Sequence, residues 1–245
     1  MLRARRHGAE GSEATRPWEV GVHMLNVKAV IAELLGTFLF FTIGYLSVAA
    51  FHATSPATSA LLVVPFSFGF GLLAAIFAFG HISGGHFNPA VTVAMVLDKR
   101  TTPVNAVGYI VAQVVGAIAA GLFVLIVVNQ EAVTQGITKP GHGISDTGAL
   151  LIEIVATAGF LAVILASTKR AANLAALAIP LTLVAIHFAT ASLSGSSVNP
   201  ARSIGSALVG GDMSQLWIYL VGPIVGGILG WVAWKLVDGG ADATA

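Results

Sequence analysis

Residues 82–91 read Ile82-Ser83-Gly84-Gly85-His86-Phe87-Asn88-Pro89-Ala90-Val91, and residues 193–202 read Leu193-Ser194-Gly195-Ser196-Ser197-Val198-Asn199-Pro200-Ala201-Arg202. Each is a Gly/Ser-rich stretch that runs into Asn-Pro and then into a short apolar run. Asn is a preferred helix N-cap, and Pro is favoured at the first helical position, where its missing N–H has no intrahelical partner to lose. The pattern predicts two short helices, Pro89–Leu97 and Pro200–Leu208, capped by Asn88 and Asn199. About ten residues at 1.5 Å rise cover roughly 15 Å, half the hydrocarbon core of a bilayer. One Asn-Pro is an ordinary turn or helix start. Two copies in apolar surroundings call for a common explanation.

The surroundings supply it. Of 245 residues, 56% are hydrophobic and 9% charged, at a mean hydropathy of +0.87. Soluble domains carry roughly 25% charged residues, so this chain lacks the polar side chains to cover a water-facing surface. Six apolar segments reach the roughly 20 residues that cross hydrocarbon as helix. They lie near Val27–Ala50, Ala60–Ile82, Val104–Val128, Gly148–Ser167, Asn173–Ser192 and Ser214–Val237. An open sheet would leave backbone groups unpaired in lipid, so helices are required. The expected fold class is an all-α integral membrane protein with six transmembrane helices plus two re-entrant half-helices. Residues 1–24 hold Arg3, Arg5, Arg6 and Arg16 without the apolar core of a secretory leader, and read as a disordered cytoplasmic tail. Residues 25–240 read as one domain. A net charge of +1 gives no reason to expect a nucleic-acid partner. The absence of cysteine excludes disulfides, thiol catalysis and Cys-ligated metal.

The motifs sit inside a repeat. Ala32-Glu33-Leu34-Leu35-Gly36-Thr37-Phe38 precedes the first Asn-Pro, and Ile152-Glu153-Ile154-Val155-Ala156-Thr157-Ala158 precedes the second. Each half, about 25–128 and 148–237, holds three spans. That number is odd, so the second copy enters the membrane inverted. The polar segment Asn129–Thr147 joins the halves on the outside. Arg3, Arg5, Arg6, Arg16, Lys28, Lys99, Arg100, Lys169, Arg170 and Lys235 fall on one side, leaving Lys139 and Arg202 on the other. The positive-inside rule then puts both termini in the cytoplasm, and the cell membrane is the expected location.

Two half-helices entering from opposite faces meet at the midplane and together replace one span. Each Asn side-chain oxygen accepts from its own helix, which leaves the NH2 to donate into a lumen. Both positive ends of the helix dipoles point there as well. A passing water must present its oxygen to two donors, while the field opposes hydrated protons and cations. Irregular backbone is tolerated at this depth only where it lines a water-filled cavity. The carbonyls of Gly84, Gly85, His86 and Phe87, and of Gly195, Ser196, Ser197 and Val198, are candidate acceptors along it.

The two loop sequences, with Glu33/Thr37 and Glu153/Thr157, resemble the signatures of the major intrinsic proteins (the aquaporin family) over about Lys28 to Val237. The resemblance implies the six-plus-two-half-helix fold, passive conduction, a homotetramer with a pore in each subunit, and an outer constriction built from four positions. Carried over from the two Asn-Pro motifs, these fall on Phe68, His187, Ser196 and Arg202. The set is similar to that of bacterial water channels, whose third residue is usually Thr or Cys. The glycerol branch instead has Trp, Gly, Phe and Arg, usually with Asp after the Arg, where this chain has Ser203. Leu220 stands where the water branch often has Trp. A bulky His opposite Arg leaves less room for a three-carbon polyol. On residue chemistry alone, His187 reads more readily as an interhelical hydrogen-bonder and Phe68 as a lipid-facing or core residue, while snorkelling to the interface is the lesser reading of Arg202.

Intramembrane carboxylates default to a functional reading. Glu33 and Glu153 read either as proton carriers of a secondary transporter or as acceptors bracing the loop N–H groups, and their symmetric placement favours bracing. His86 reads as a loop brace and His81 as a residue narrowing the cytoplasmic mouth. Neither has the carboxylate or Cys neighbours of a metal site. Gly222, Gly226 and Gly230 predict close helix packing. No nucleophile–base constellation or cofactor motif argues for an enzyme. The sequence predicts a water channel needing no metal or cofactor, with a facilitator of glycerol or similar small neutral solutes as the alternative.

Overall fold

The computed structural model describes residues 24–54 and 57–238. Apart from Met24, the expected N-terminal tail lies outside these residues. Among them the chain is helical, with no strand. The helices are α1 (Val27–Thr54), α2 (Ala57–Ala75), a π-helical turn (Ile76–Gly80), α3 (His81–Ser83), α4 (Pro89–Leu97), α5 (Pro103–Val127), α6 (Gln130–Gln135), α7 (Asp146–Arg170), α8 (Ala172–Ser194), α9 (Pro200–Gly210) and α10 (Leu216–Val237). Six stretches are long and apolar enough to cross a membrane: Val27–Ala50, Leu61–Ser83, Pro103–Val127, Asp146–Arg170, Ala172–Ser194 and Leu216–Val237.

Local chemistry sets the ends. Thr102 caps α5 through its hydroxyl, with Pro103 in the first turn, and Ser145 caps α7 in the same way. The half-helix α4 has the expected limits, whereas α9 runs past Leu208 to Gly210. Gly211, at φ 85°, stops it in the left-handed conformation. Two features went unforeseen. The second span widens into a π-helical turn just before the first loop. The connector between the two halves also contains α6, whose start is capped by Asn129 accepting from the Ala132 N–H at 2.9 Å.

The packing follows the repeat. Within the halves α1 lies against α5 and α2, and α7 against α10 and α8. Between them, α2 meets α8, while α9 packs on α5 and α4 on α10. Each half-helix therefore leans on the last span of the other half. Small residues permit this closeness. A Cβ at Gly226 would stand 2.4 Å from the Ile154 carbonyl oxygen, and one at Gly116 would stand 2.6 Å from that of Leu34.

Ion pairs tie one end of the bundle together. Asp98 pairs with Arg100 at 2.7 Å and Lys235 at 2.6 Å. Asp238 pairs with Lys169 and Arg170, and Arg100 donates to the Thr168 hydroxyl at 2.7 Å. Lys139 pairs with Asp212 elsewhere. Of the basic residues assigned to one side by the sequence pattern, Arg100, Lys169, Arg170 and Lys235 thus share a face.

Candidate functional site

The two irregular loops are held by the two buried carboxylates. Glu33 accepts from the His86 N–H at 2.9 Å, the Phe87 N–H at 2.6 Å and the Ser83 hydroxyl at 2.6 Å. Glu153 accepts from the Ser197 N–H at 2.9 Å, the Val198 N–H at 2.7 Å and the Ser194 hydroxyl at 2.7 Å. Both side chains are fully buried. The partners correspond across the repeat, except that Gln113 adds a fourth donor to Glu33 at 2.8 Å. These bonds hold backbone that would otherwise relax. Phe87 has φ 47° and Val198 φ 44°, a conformation unfavourable for large and β-branched side chains. Such residues cost about 1–3 kcal/mol each and persist where their surroundings over-determine them.

Each loop delivers its Asn to the same point. The Asn88 side chain caps α4 by accepting from the Ala90 N–H, and that of Asn199 caps α9 by accepting from those of Ala201 and Arg202. Pro89 and Pro200 occupy the first helical positions, with Ala90 and Ala201 buried behind them. The amide of Asn88 donates to the Val198 carbonyl at 2.8 Å, and that of Asn199 to the Phe87 carbonyl at 2.9 Å. The expectation of a wholly free NH2 is corrected here. One N–H of each amide ties the opposite loop, because the strained carbonyls come within reach only when the half-helices meet. One N–H of each remains. The carbonyls of Phe87 and Val198 likewise carry a protein donor.

A narrow cavity runs past this point, with Asn88 and Asn199 both among its walls. Phe40, Phe41, Phe160 and Leu183 contribute apolar walls, and Gly84, Gly85, His86, Ser197 and Val198 line it from the loops. A second, outer cavity has walls from Leu61, Ile137, Lys139 and Gly195. His187 and Arg202 are common to both cavities. Phe68 stacks on His187 at 4.8 Å between ring centroids, and the Arg202 guanidinium carbon lies 5.4 Å from the Phe68 ring centre. The junction is therefore walled by an aromatic ring, an imidazole and a guanidinium.

Hydrogen bonding orients these groups. The Leu183 carbonyl accepts from His187 Nδ1 at 3.0 Å, so in the neutral ring Nε2 is an acceptor, and it has no protein partner. One Arg202 terminal nitrogen donates to the Gly136 carbonyl at 2.6 Å, while Arg202 Nε is buried without one. Ser196 is fully buried with an unpartnered hydroxyl and does not line either cavity; Phe87 also stays out of the walls, its ring filling the space beside Gly36. His86 lines the inner cavity and meets the Thr92 hydroxyl through Nδ1 at 3.1 Å. His81 is exposed on α3 and is not among the walls of the cavity, since it precedes the loop that turns inward. Among the described residues no cluster of His, Cys, Asp and Glu suits a metal ion.

A family model described as Major intrinsic protein matches residues 21–234. The chain belongs to this family. Its members are channels rather than enzymes. Among curated relatives of this major intrinsic protein, Aquaporin Z of Rhodopseudomonas palustris is 38% identical over 87% of this chain and 95% of its own. Aquaporin Z of Photorhabdus laumondii is 39% identical over 86% and 97%. Glycerol uptake facilitator protein-like 6 of Lactiplantibacillus plantarum is 39% identical over 83% and 94%. Among solved structures, the aquaglyceroporin from Plasmodium falciparum superposes with a TM-score of 0.78 at 24% identity, covering 86% of this chain and 96% of that one, which establishes the shared fold.

Sequence reasoning missed Tyr45, Gln113, Gly136 and Thr138. Gln113 carried a signal, being a polar residue in an apolar span. Gly136 acts through a backbone carbonyl, which leaves no trace in residue type. Thr138 donates to Ser203 at 2.8 Å and Ser203 contacts Ser197 at 2.6 Å, a chain of hydroxyls visible only once the connector is folded over the second loop.

Proposed function

We propose that this major intrinsic protein is a passive, water-selective channel. Water passes in single file between Asn88 and Asn199 and through a constriction formed by Phe68, His187 and Arg202, with Ser196 buried behind it. The observation that carries this reading is that the inner and outer cavities share only His187 and Arg202 among their walls. At that junction a water accepts from Arg202 and donates to His187 Nε2, replacing the hydrogen bonds it leaves behind. Phe68 offers no partner and excludes a solute that needs a third polar wall. Farther in, each Asn keeps one N–H for a water oxygen. The two helix N-termini oppose cations by their positive ends. The loop carbonyls of Gly84, Gly85, His86, Gly195 and Ser197 take the water hydrogens, and that of Val198 does so with its remaining lone pair.

Glu33 and Glu153 brace the loops rather than carry protons, a role supported by three or more donors on each carboxylate. The shared basic face lies in the cytoplasm with both termini, in the cell membrane. Residues 25–240 act as one channel domain, and four copies assemble with a pore in each. Two relatives named Aquaporin Z support water as substrate. A relative named for glycerol uptake, at 39% identity, favours the second reading, a facilitator of small polyols.

Stopped-flow light scattering on proteoliposomes under water and glycerol gradients separates the two. The expected result is rapid water flux with glycerol flux near that of empty vesicles. His187→Gly should raise glycerol flux at least tenfold by opening the junction. Glycerol flux comparable to water flux in the unaltered protein would refute water selectivity.

A further inference from the structure

Tyr45 lies on α1, far in sequence from both loops, and none of the family motifs includes it. It is 2% exposed. Its hydroxyl donates to the Arg202 backbone carbonyl at 2.5 Å. Its ring centre is 6.0 Å from the Arg202 guanidinium carbon, and it meets Phe68 edge-on at 6.4 Å. Stacking on Phe41 at 5.7 Å fixes the ring in place. One side chain of the first repeat thus meets both Arg202 and Phe68 of the constriction.

The need for such a contact follows from how Arg202 is held. Its guanidinium has one short tether, to the Gly136 carbonyl, and a weaker approach to the Ser206 hydroxyl at 3.4 Å. A long side chain with a single firm anchor moves with its backbone, so the position of its base sets where the guanidinium lies. The base belongs to the first turn of α9, where the Arg202 carbonyl also takes the Ser206 hydroxyl at 3.3 Å. The phenol bond is much the shorter of the two hydroxyl contacts. Tyr45 also lies beside the other anchor, since a Cβ on Gly136 would come within 3.9 Å of its ring.

We infer that Tyr45 is a positioning residue for the constriction: its hydroxyl pins the backbone of Arg202 and its ring backs the guanidinium. It thereby sets the aperture between Arg202 and His187, and with it the discrimination between water and larger neutral solutes. The inference rests on the reading of Arg202 and His187 as the filter.

The test compares the unaltered protein with Tyr45→Phe, Ser206→Ala, the double variant and His187→Gly, all reconstituted and assayed for water and glycerol flux. Tyr45→Phe keeps the ring, so the apparent Tm should fall by only about 2–4 °C and water flux should stay within about twofold. The glycerol-to-water permeability ratio should rise about fivefold, the factor that one hydrogen bond of ordinary net strength represents. Ser206→Ala should change the ratio little, and the double variant should exceed the product of the two. An unchanged ratio in Tyr45→Phe and in the double variant, with His187→Gly raising it, overturns the inference and leaves the filter intact. Lost stability at an unchanged ratio marks Tyr45 as packing only, and also overturns it. If His187→Gly leaves the ratio unchanged as well, the filter reading falls and takes this inference with it.

Discussion

Replacing Glu153 with Gln probes the loop architecture with little change of shape. One carboxylate oxygen accepts from the Ser197 N–H and the Ser194 hydroxyl, and the other from the Val198 N–H. The glutamine keeps one acceptor and turns the other position into an NH2 donor. The Ser194 hydroxyl can rotate to accept, but a backbone N–H cannot. Whichever way the amide points, a donor faces the N–H of Ser197 or of Val198. The variant loses one charge-assisted hydrogen bond, about 1.5–3 kcal/mol, and leaves a buried donor unsatisfied, about 1–3 kcal/mol. The two sum to about 2.5–6 kcal/mol, and the loss on removing one partner of a buried ionic contact narrows this to about 3–5 kcal/mol. Val198, no longer held at φ 44°, can recover part of this by relaxing. Relaxation turns its carbonyl away from the Asn88 amide, so the second cost appears in conduction. For a chain of this size 1 kcal/mol corresponds to about 2–4 °C in Tm. The apparent Tm in detergent should therefore fall by about 6–20 °C, and water permeability in proteoliposomes by at least tenfold. Unchanged Tm and flux would refute the reasoning. Unchanged stability and water flux with loss of a pH-driven flux would instead make Glu153 a proton carrier.

Gly226→Ala should abolish correctly assembled protein on size-exclusion chromatography, because its Cβ would meet the Ile154 carbonyl oxygen at 2.4 Å. Gly159→Ala on the same helix pair has nothing within 4 Å and should be neutral or stabilising by up to about 1 kcal/mol through helix propensity. Burial pushes the Asp98 carboxyl up, but the hydrogen bond from Lys235 and the charge of Arg100 outweigh it, so it titrates below the usual carboxylate range. A lowered folded pKa means this stabilisation is present above the unfolded value near ~3.9 and lost as pH falls through the folded one. The Asp98→Asn decrement in Tm should hence be constant from pH 7 to 5; a decrement that vanishes by pH 5 would contradict it. With no cysteine in the chain, mercurials should leave water flux unchanged, and a block reversed by added thiol would contradict this.

The sequence by itself determined the membrane class, the six spans, the inverted repeat and the two capped half-helices. Each of these is written in local chemistry: apolar length, Asn-Pro order, and a motif that recurs across an odd number of spans. Glu33 and Glu153 were legible as a symmetric pair, since a carboxylate in an apolar span needs a partner. Only the tertiary structure decided which donors they take, and that Asn88 and Asn199 each spend an N–H on the opposite loop. The same holds for the closeness of His187, Phe68 and Arg202, and for Tyr45 behind them. These depend on where backbone carbonyls and rings from both repeats converge. Residue type does not encode the position of a carbonyl, and no spacing along the chain relates α1 to the first turn of α9. Such contacts exist only once the two halves have packed against each other.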